Sequence, residues 1–488
     1  MKKLRIRYIS HACIQLTGEF GSLITDPWIL NEPIYAFTTW KYPPAVIPPE
    51  QIVDNVDYLY LSHPHEDHLH IPSLDKFPRH IQVLLPEYGD YPCLRSQTVE
   101  RTFREMGFYN ITKIKPWQTI LLNNKTPFTI IPACKTKYWD WENSGFVLEH
   151  PDCKVLNMND CPSDPELYAM LDARFGKMDI GFVQYSGVSM YPGRYRMPKE
   201  EMRAASSARK HSWIQQKNMI ECLSVARLAP FAGDFAWLDD SLYHCNWANR
   251  ATPKLFEDFV QSNYPEKKIE VVIMYPTDEW TIDSGLTRNH HEINWDNYLA
   301  EIDCVKQALQ PKVDAVRAWI DGSSVADLRE RSQAYTEHLN KWVTTEFVDF
   351  SARVRVYIEG GNANFSFVMK ATPEDKFSFD WHDEDNVDQS LYISEKLWGA
   401  VLEGKVLLTN IQWAAENFQQ VEFRNEIARF WFWLENHLDL NNRNAQALID
   451  RALHPHIKDR IRPGHGVFQI ENEWSFDYQC IDDIRKVV

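Results

Sequence analysis

The chain has 488 residues, 44% hydrophobic and 25% charged, an ordinary globular balance too long for one small core, so two or three domains are expected. A formal net charge of -16 without a long basic run excludes nucleic acid as a main partner, though a local basic patch remains compatible with an anionic ligand. The nine cysteines are odd in number and form no C-x-x-C, so no disulfide framework is expected. With no signal-like apolar start and no apolar run of bilayer length, the chain reads as cytoplasmic, reduced and independent of membranes.

In chain order, Leu4–Ile9, Ala12–Leu16 and Ser22–Thr25 read as strands, with Gly18 and Gly21 at a turn and Asp26-Pro27-Trp28 closing the third. Residues 31–55 are Pro-rich and carry Tyr35, Phe37, Trp40 and Tyr42; an ordinary packed surface loop is preferred here over an aromatic flap. Val56–Leu61 reads as a buried strand that runs into Ser62-His63-Pro64-His65-Glu66-Asp67-His68-Leu69-His70. His63 and His65 alternate, so in extended chain they share a face, and Asp67 and His68 follow in the loop. Imidazoles and a carboxylate at this density point to a metal such as Zn, Fe or Mn rather than to a polar surface loop.

Further strands are expected at Val83–Pro86, Phe128–Pro132, Gly145–Glu149, Lys154–Cys161 and Asp179–Tyr185. Residues 198–228 read as one long helix or two, and Leu228–Phe235 ends in a strand before His244. Strands alternating with helices to about residue 290, with ligand-type residues at strand ends, imply an α/β fold: an αββα sandwich with the site along one edge.

The pattern from His63 to His68 resembles the metallo-β-lactamase superfamily. That resemblance implies one metal on His63 and His65, a second on Asp67 and His68, and Asp160 bridging the two. The competing reading of Asp160 is a helix N-cap, a role that Ser163 or Asp164 fits better. Asp26 is then a candidate acceptor orienting a metal-binding histidine, against a turn-starting Asp before Pro. His11 stays open between packing and the site. His244 is the candidate for a closing ligand, with Asp234 as runner-up. The segment 133–144, where the superfamily supplies another histidine, has none; Asp140 and Glu142 are either replacement carboxylates, which favours Fe or Mn over Zn, or solvated loop charges.

Taken in order, the motif His63–His70, the string Asn159-Asp160-Cys161, the loop Gln184–Pro192 and Ala229–Phe235 look like the CMP-N-acetylneuraminate hydroxylase family. That family carries a Rieske [2Fe–2S] domain read as C-x-H followed by C-x-x-H, and neither pattern occurs in these 488 residues. The resemblance implies a diiron oxygenase acting on an N-acyl sugar or similar small molecule, with electrons from a separate protein or from the substrate. Asp67 and Asp160 are its catalytic carboxylates. Ser186, Gly187, Tyr191 and Arg194, with Arg196 as an alternative, are candidates for the substrate's anionic part. The same donors suit a dinuclear zinc hydrolase of a lactone, amide or phosphoester. A non-catalytic metal-bearing binding module is the third reading.

Residues 1–292 are assigned to this catalytic domain, 293–440 to an α+β domain and 441–488 to a tail. Residues 297–345 are helical by pattern, and 352–381 form a strand meander. A helix at Glu395–Leu402, a strand at Val406–Leu408 and a long helix at 411–436 are expected next. The arrangement looks weakly like a sterol-carrier-protein-2-like domain; a structural, dimerising or capping role is the competing reading.

Overall fold

The computed structural model describes residues 2–434, except 88–98, 101, 105, 134–142, 162–163, 187–189, 210–213, 234, 249–250, 343–349, 362–363, 375, 382–385 and 420–424. Two sheets face each other in the N-terminal part. The first holds eight strands in the spatial order Gly285–Thr287, Glu279–Thr281, Arg5–Ser10, Cys13–Gly18, Gly21–Thr25, Tyr58–Tyr60, Gln82–Pro86, Ile111–Ile114. The second holds seven: Glu270–Val271, Arg227–Phe231, Ile180–Gln184, Cys153–Asn157, Ser144–His150, Thr126–Pro132, Thr119–Leu122. Between them lies a continuous apolar layer with Ile6, Ile14, Leu16, Leu23, Phe128, Phe146, Val155, Phe182 and Phe231. The central strands Cys153–Asn157 and Ile180–Gln184, covered on both faces, read as mostly apolar runs, while Arg5–Ser10 nearer the edge alternates.

Helices cover the outer faces. Helix Pro165–Phe175 is typical: Asp164 caps its N-terminus by accepting from the backbone N–H of Glu166 and Leu167, Pro165 stands in its first turn, and Gly176 ends it at φ 64°. Leu167, Leu171 and Phe175 recur at helical spacing and pack with Met219 and Ile220 against the second sheet. Asp164, not Asp160, is therefore the cap. The segment 198–228 resolves into two helices, Lys199–Arg209 and Ile214–Cys222, before the strand Arg227–Phe231.

The parallel pairing of Gly21–Thr25 with Tyr58–Tyr60, and of Cys153–Asn157 with Ile180–Gln184, sends their C-terminal ends toward one rim of the sandwich. Loops leaving such ends are free to carry chemistry because the strands beneath are fixed by packing.

Beyond residue 292, helix Tyr298–Asp321 packs Ile302 and Val313 against Trp40, Tyr42, Ala236 and Leu238 around a separate two-stranded sheet, Trp40–Lys41 paired with Phe235–Ala236. A five-stranded sheet follows, ordered Lys376–Asp380, Asn364–Thr372, Ala352–Glu359, Gln389–Ser394, Glu416–Gln419. Ala352, Val354, Val356 and Ile358 point into its core, alternating with half-exposed Arg353, Arg355 and Tyr357. Helices Leu328–Trp342, Glu395–Leu402 and Asn425–Leu434 close over that core, with Trp398 fully buried. Two expectations are corrected here. Val406–Leu408 is a buried turn rather than a strand, and the single helix expected over 411–436 is a short helix Ile411–Ala414, a strand Glu416–Gln419 and a second helix Asn425–Leu434. Apolar residues without a clear period marked burial correctly but not the element.

Candidate metal centre

The strand Tyr58–Tyr60 delivers Ser62 and His63 to the rim, and the loop after it turns back so that His68 N–H donates to the His65 carbonyl at 2.9 Å. Two clusters of ligand-type atoms result: His11, Asp67 and His68, and His63, His68 and Asp160. His68 belongs to both. Its Nε2 lies 3.5 Å from Asp67 Oδ2 and 3.4 Å from Asp160 Oδ2. His11 Nε2 approaches Asp67 Oδ2 at 3.1 Å, and His65 Nδ1 lies 2.9 Å from His63 Nε2.

Beneath these side chains is Asp26, fully buried after the strand Gly21–Thr25. Its carboxylate accepts from Ser62 N–H at 2.7 Å and Ser62 O–H at 2.8 Å, and Oδ2 meets His68 Nδ1 at 3.0 Å. A carboxylate on one ring nitrogen fixes the imidazole and turns its other nitrogen toward the clusters. Ser62 Oγ also lies 2.9 Å from His63 Nδ1, so one serine spans both histidines.

The backbone carries strain at these points. His11, Asp26, Asn159 and Ala232 have left-handed φ values of 47°, 39°, 44° and 53°. Each is a non-glycine residue at a strand end on this rim, where side-chain direction is bought with local strain.

Buried charge of one sign without a countercharge is expensive, and the site shows how it is balanced. Burial alone would lower the His68 pKa, but the carboxylates of Asp67, Asp160 and Asp26 raise it well above the ordinary histidine value. Burial would raise Asp67, but His68, His11 and His65 hold it well below the ordinary carboxylate value. The three carboxylates around His68 thus favour positive charge at this spot. His68 Nε2, His11 Nδ1 and Asp160 Oδ1 are buried without a hydrogen-bond partner. An orphaned imidazole nitrogen between two carboxylate oxygens is what a hard or borderline divalent metal fits.

Other expected residues fall elsewhere. The imidazole of His244 meets the Gly193 carbonyl, Nε2 to O 2.7 Å, and joins neither cluster. His70 precedes the short helix Ile71–Leu74, with Nδ1 2.7 Å from Ser73 Oγ. Asp140, Glu142, Asp234 and Gly187 lie outside the described residues. Ser186 is buried, with Oγ 3.4 Å from Ala251 N. It approaches the rim through Gly233, where an added Cβ would stand 3.1 Å from Ser186 N; the preceding Ala232 donates its N–H to the His11 carbonyl at 3.3 Å. Arg194 is buried beside Cys245, its pKa lowered by burial, while burial pushes the Cys245 thiol up to about 11. Tyr191 is exposed and edge-on to Tyr195. Arg196 faces the C-terminal sheet, paired with Glu359 and Glu416 and stacked over Tyr392.

Three participants were missed or undervalued. His11 joins a cluster and stacks on Phe235 at 5.0 Å. Ser62 links Asp26 to His63. Tyr35, from the loop read as ordinary surface, is buried and donates its hydroxyl to Asp67 Oδ1 at 2.6 Å. A lone histidine in a turn and a tyrosine among prolines give no periodic signal that would have singled them out.

Residues 24–223 match the family described as the beta-lactamase superfamily domain. The chain is 27% identical over 261 residues to a Mycolicibacterium smegmatis protein provisionally named a Rieske 2Fe-2S iron-sulfur protein, covering 52% of this chain and 48% of the relative. It is 24% identical over 295 residues to cytidine monophosphate-N-acetylneuraminic acid hydroxylase of Cricetulus griseus, covering 58% of this chain and 48% of the relative. The chain therefore spans about half the length of these curated relatives. Among solved structures it is similar to CmlA, a diiron beta-hydroxylase from Streptomyces venezuelae, at 16% identity and TM-score 0.36, covering 58% of this chain and 54% of the other, a likeness too loose to bear on function. Among the described residues no helix is long and apolar enough to cross a membrane.

Proposed function

We propose that this chain is a dinuclear metal enzyme, and specifically a diiron oxygenase that hydroxylates an N-acyl sugar or similar small molecule using electrons from a separate protein. The observation that carries this reading is His68 Nε2, buried between the carboxylates of Asp67 and Asp160 at 3.5 and 3.4 Å, with further histidines on either side. Hydroxylase and Rieske names among the relatives support the oxygenase over other chemistries of the fold.

His63, His65, Asp67, His68, Asp160 and His11 would hold the metals. Bound iron would supply the redox chemistry, and this chain's residues would do the rest. Asp26 and Ser62 orient the imidazoles. Asp67 and Asp160 balance the metal charge, and Asp160, whose Oδ1 has no hydrogen-bond partner, is placed to take a proton from a bound group. The buried aromatic wall of Trp28, Phe235 and Tyr35 beside His11 keeps bulk water from that face. Ser186, Tyr191 and Arg194 are the proposed substrate contacts, with Arg194 as the buried cation for an anionic group.

The test is oxygen uptake. Iron-loaded protein given a reductase or chemical reductant and an N-acyl sugar nucleotide should consume oxygen and yield a hydroxylated product. The second reading, a zinc hydrolase, rests on the same donors suiting zinc. Anaerobic turnover of a lactone, amide or phosphoester by zinc-loaded protein, without oxygen uptake, would favour it.

A further inference from the structure

Asp67 presents its two oxygens to different partners. Oδ2 faces His11 and His68, while Oδ1 accepts the Tyr35 hydroxyl at 2.6 Å. A carboxylate oxygen that accepts a short O–H···O⁻ bond is held in orientation and has one lone pair fewer for a cation, which favours presentation through the other oxygen.

Tyr35 is held there at a cost. Tyr35, Ala36 and Phe37 are three consecutive non-glycine residues with left-handed φ values of 50°, 58° and 61°. Such a run persists only when its surroundings over-determine it. Those surroundings come largely from beyond residue 292. The Trp413 ring stacks on Tyr35 at 4.2 Å and 9°. Trp319 of helix Tyr298–Asp321 meets Phe37 edge-on at 5.3 Å. Glu66, next to Asp67, accepts from Tyr35 N–H at 2.6 Å through one oxygen and from Asn410 Nδ2 at 2.6 Å through the other. The C-terminal part thus grips both the tyrosine and the neighbour of the carboxylate that the tyrosine binds.

We propose that Tyr35 is a positioning residue that confines Asp67 to one-oxygen presentation toward the metal, and that Trp413 and Asn410 make the C-terminal domain a working part of the metal centre. This rests on the reading of Asp67 as a metal ligand. It assigns that domain a role in metal geometry.

The test uses the full chain, stripped of metal and titrated anaerobically with cobalt(II), reading affinity and visible ligand-field bands. Circular dichroism checks that each variant is folded. Tyr35→Phe keeps the ring and removes only the hydroxyl. It should weaken cobalt binding about 10-fold or more and change the band pattern, because Asp67 loses the bond that orients it. Trp413→Ala should shift both readouts in the same direction, and Trp413→Phe should restore them. Wild-type affinity and bands in both Tyr35→Phe and Trp413→Ala would overturn the inference. Should Trp413→Ala not fold, Tyr35→Phe decides alone. A wild-type chain that takes up no cobalt overturns the underlying metal reading instead, so the two failures are distinct.

Discussion

Asp26 Oδ2 stands 3.0 Å from His68 Nδ1, and both side chains are completely buried. The contact fixes the ring that two other carboxylates approach from the opposite side. Asp26→Asn keeps the shape and an acceptor for Ser62 N–H but loses the charge that favours a donating Nδ1–H. Metal affinity should fall about 10- to 100-fold, with the fold intact. Competition with a chelator of known affinity measures this, and an unchanged constant would show that the ring is oriented by packing alone.

His63→Ala and Asp160→Ala should each lose most of the bound metal and all activity while remaining folded, because the strands beneath are buried independently of the site. His11→Ala should lose metal from its own cluster first. Elemental analysis giving wild-type metal content in any of the three would remove that residue from the ligand set.

Arg196 pairs with Glu359 and Glu416 across the junction of the two parts, but all three side chains are more than two-fifths exposed. Screened pairs of this kind are worth little. Arg196→Ala should cost less than about 1 kcal/mol in denaturant unfolding. Trp398→Ala, which empties the core of the C-terminal sheet and leaves Ser332 Oγ without its indole N–H donor, should cost about 3–5 kcal/mol. Equal effects would mean that the exposed cluster is coupled far more strongly than its exposure implies.

Lys41 is buried, donating to the carbonyls of Trp28 and Leu30, and burial holds its pKa well below 10.5 despite opposing attraction from Cys13 and Glu32. The unfolded chain binds the extra proton between that depressed value and 10.5, so stability should rise with pH across this interval and level off above it. Lys41→Met, which cannot titrate, should lack the rise. Unfolding curves for both proteins between neutral and alkaline pH measure it, and parallel pH dependences would contradict the assignment.

How much of this was readable from residues alone depends on spacing. His63, His65, Asp67 and His68 lie close together in sequence, so a local pattern exposes them, while Asp26 and Asp160, each at the end of an apolar strand, take their candidate roles from the resemblance to the metallo-β-lactamase superfamily. His11 comes from a turn far from the motif, and only the sheet order brings it to Asp67. Tyr35 depends on a backbone conformation that its residue types disfavour, so no propensity argument places it. In the C-terminal part, the alternation of Ala352–Glu359 predicted its strand, but its parallel partner Gln389–Ser394 is a long-range pairing that alternation cannot specify.

The most direct test of the account is the metal itself. Apo-protein titrated anaerobically with iron(II) should bind two equivalents per chain, and protein from iron-supplemented cells should hold close to two irons by elemental analysis. Exposure of the reduced, loaded protein to oxygen should then oxidise that iron. A chain that binds no iron, or that carries zinc alone and hydrolyses an ester or phosphodiester without oxygen, would contradict it.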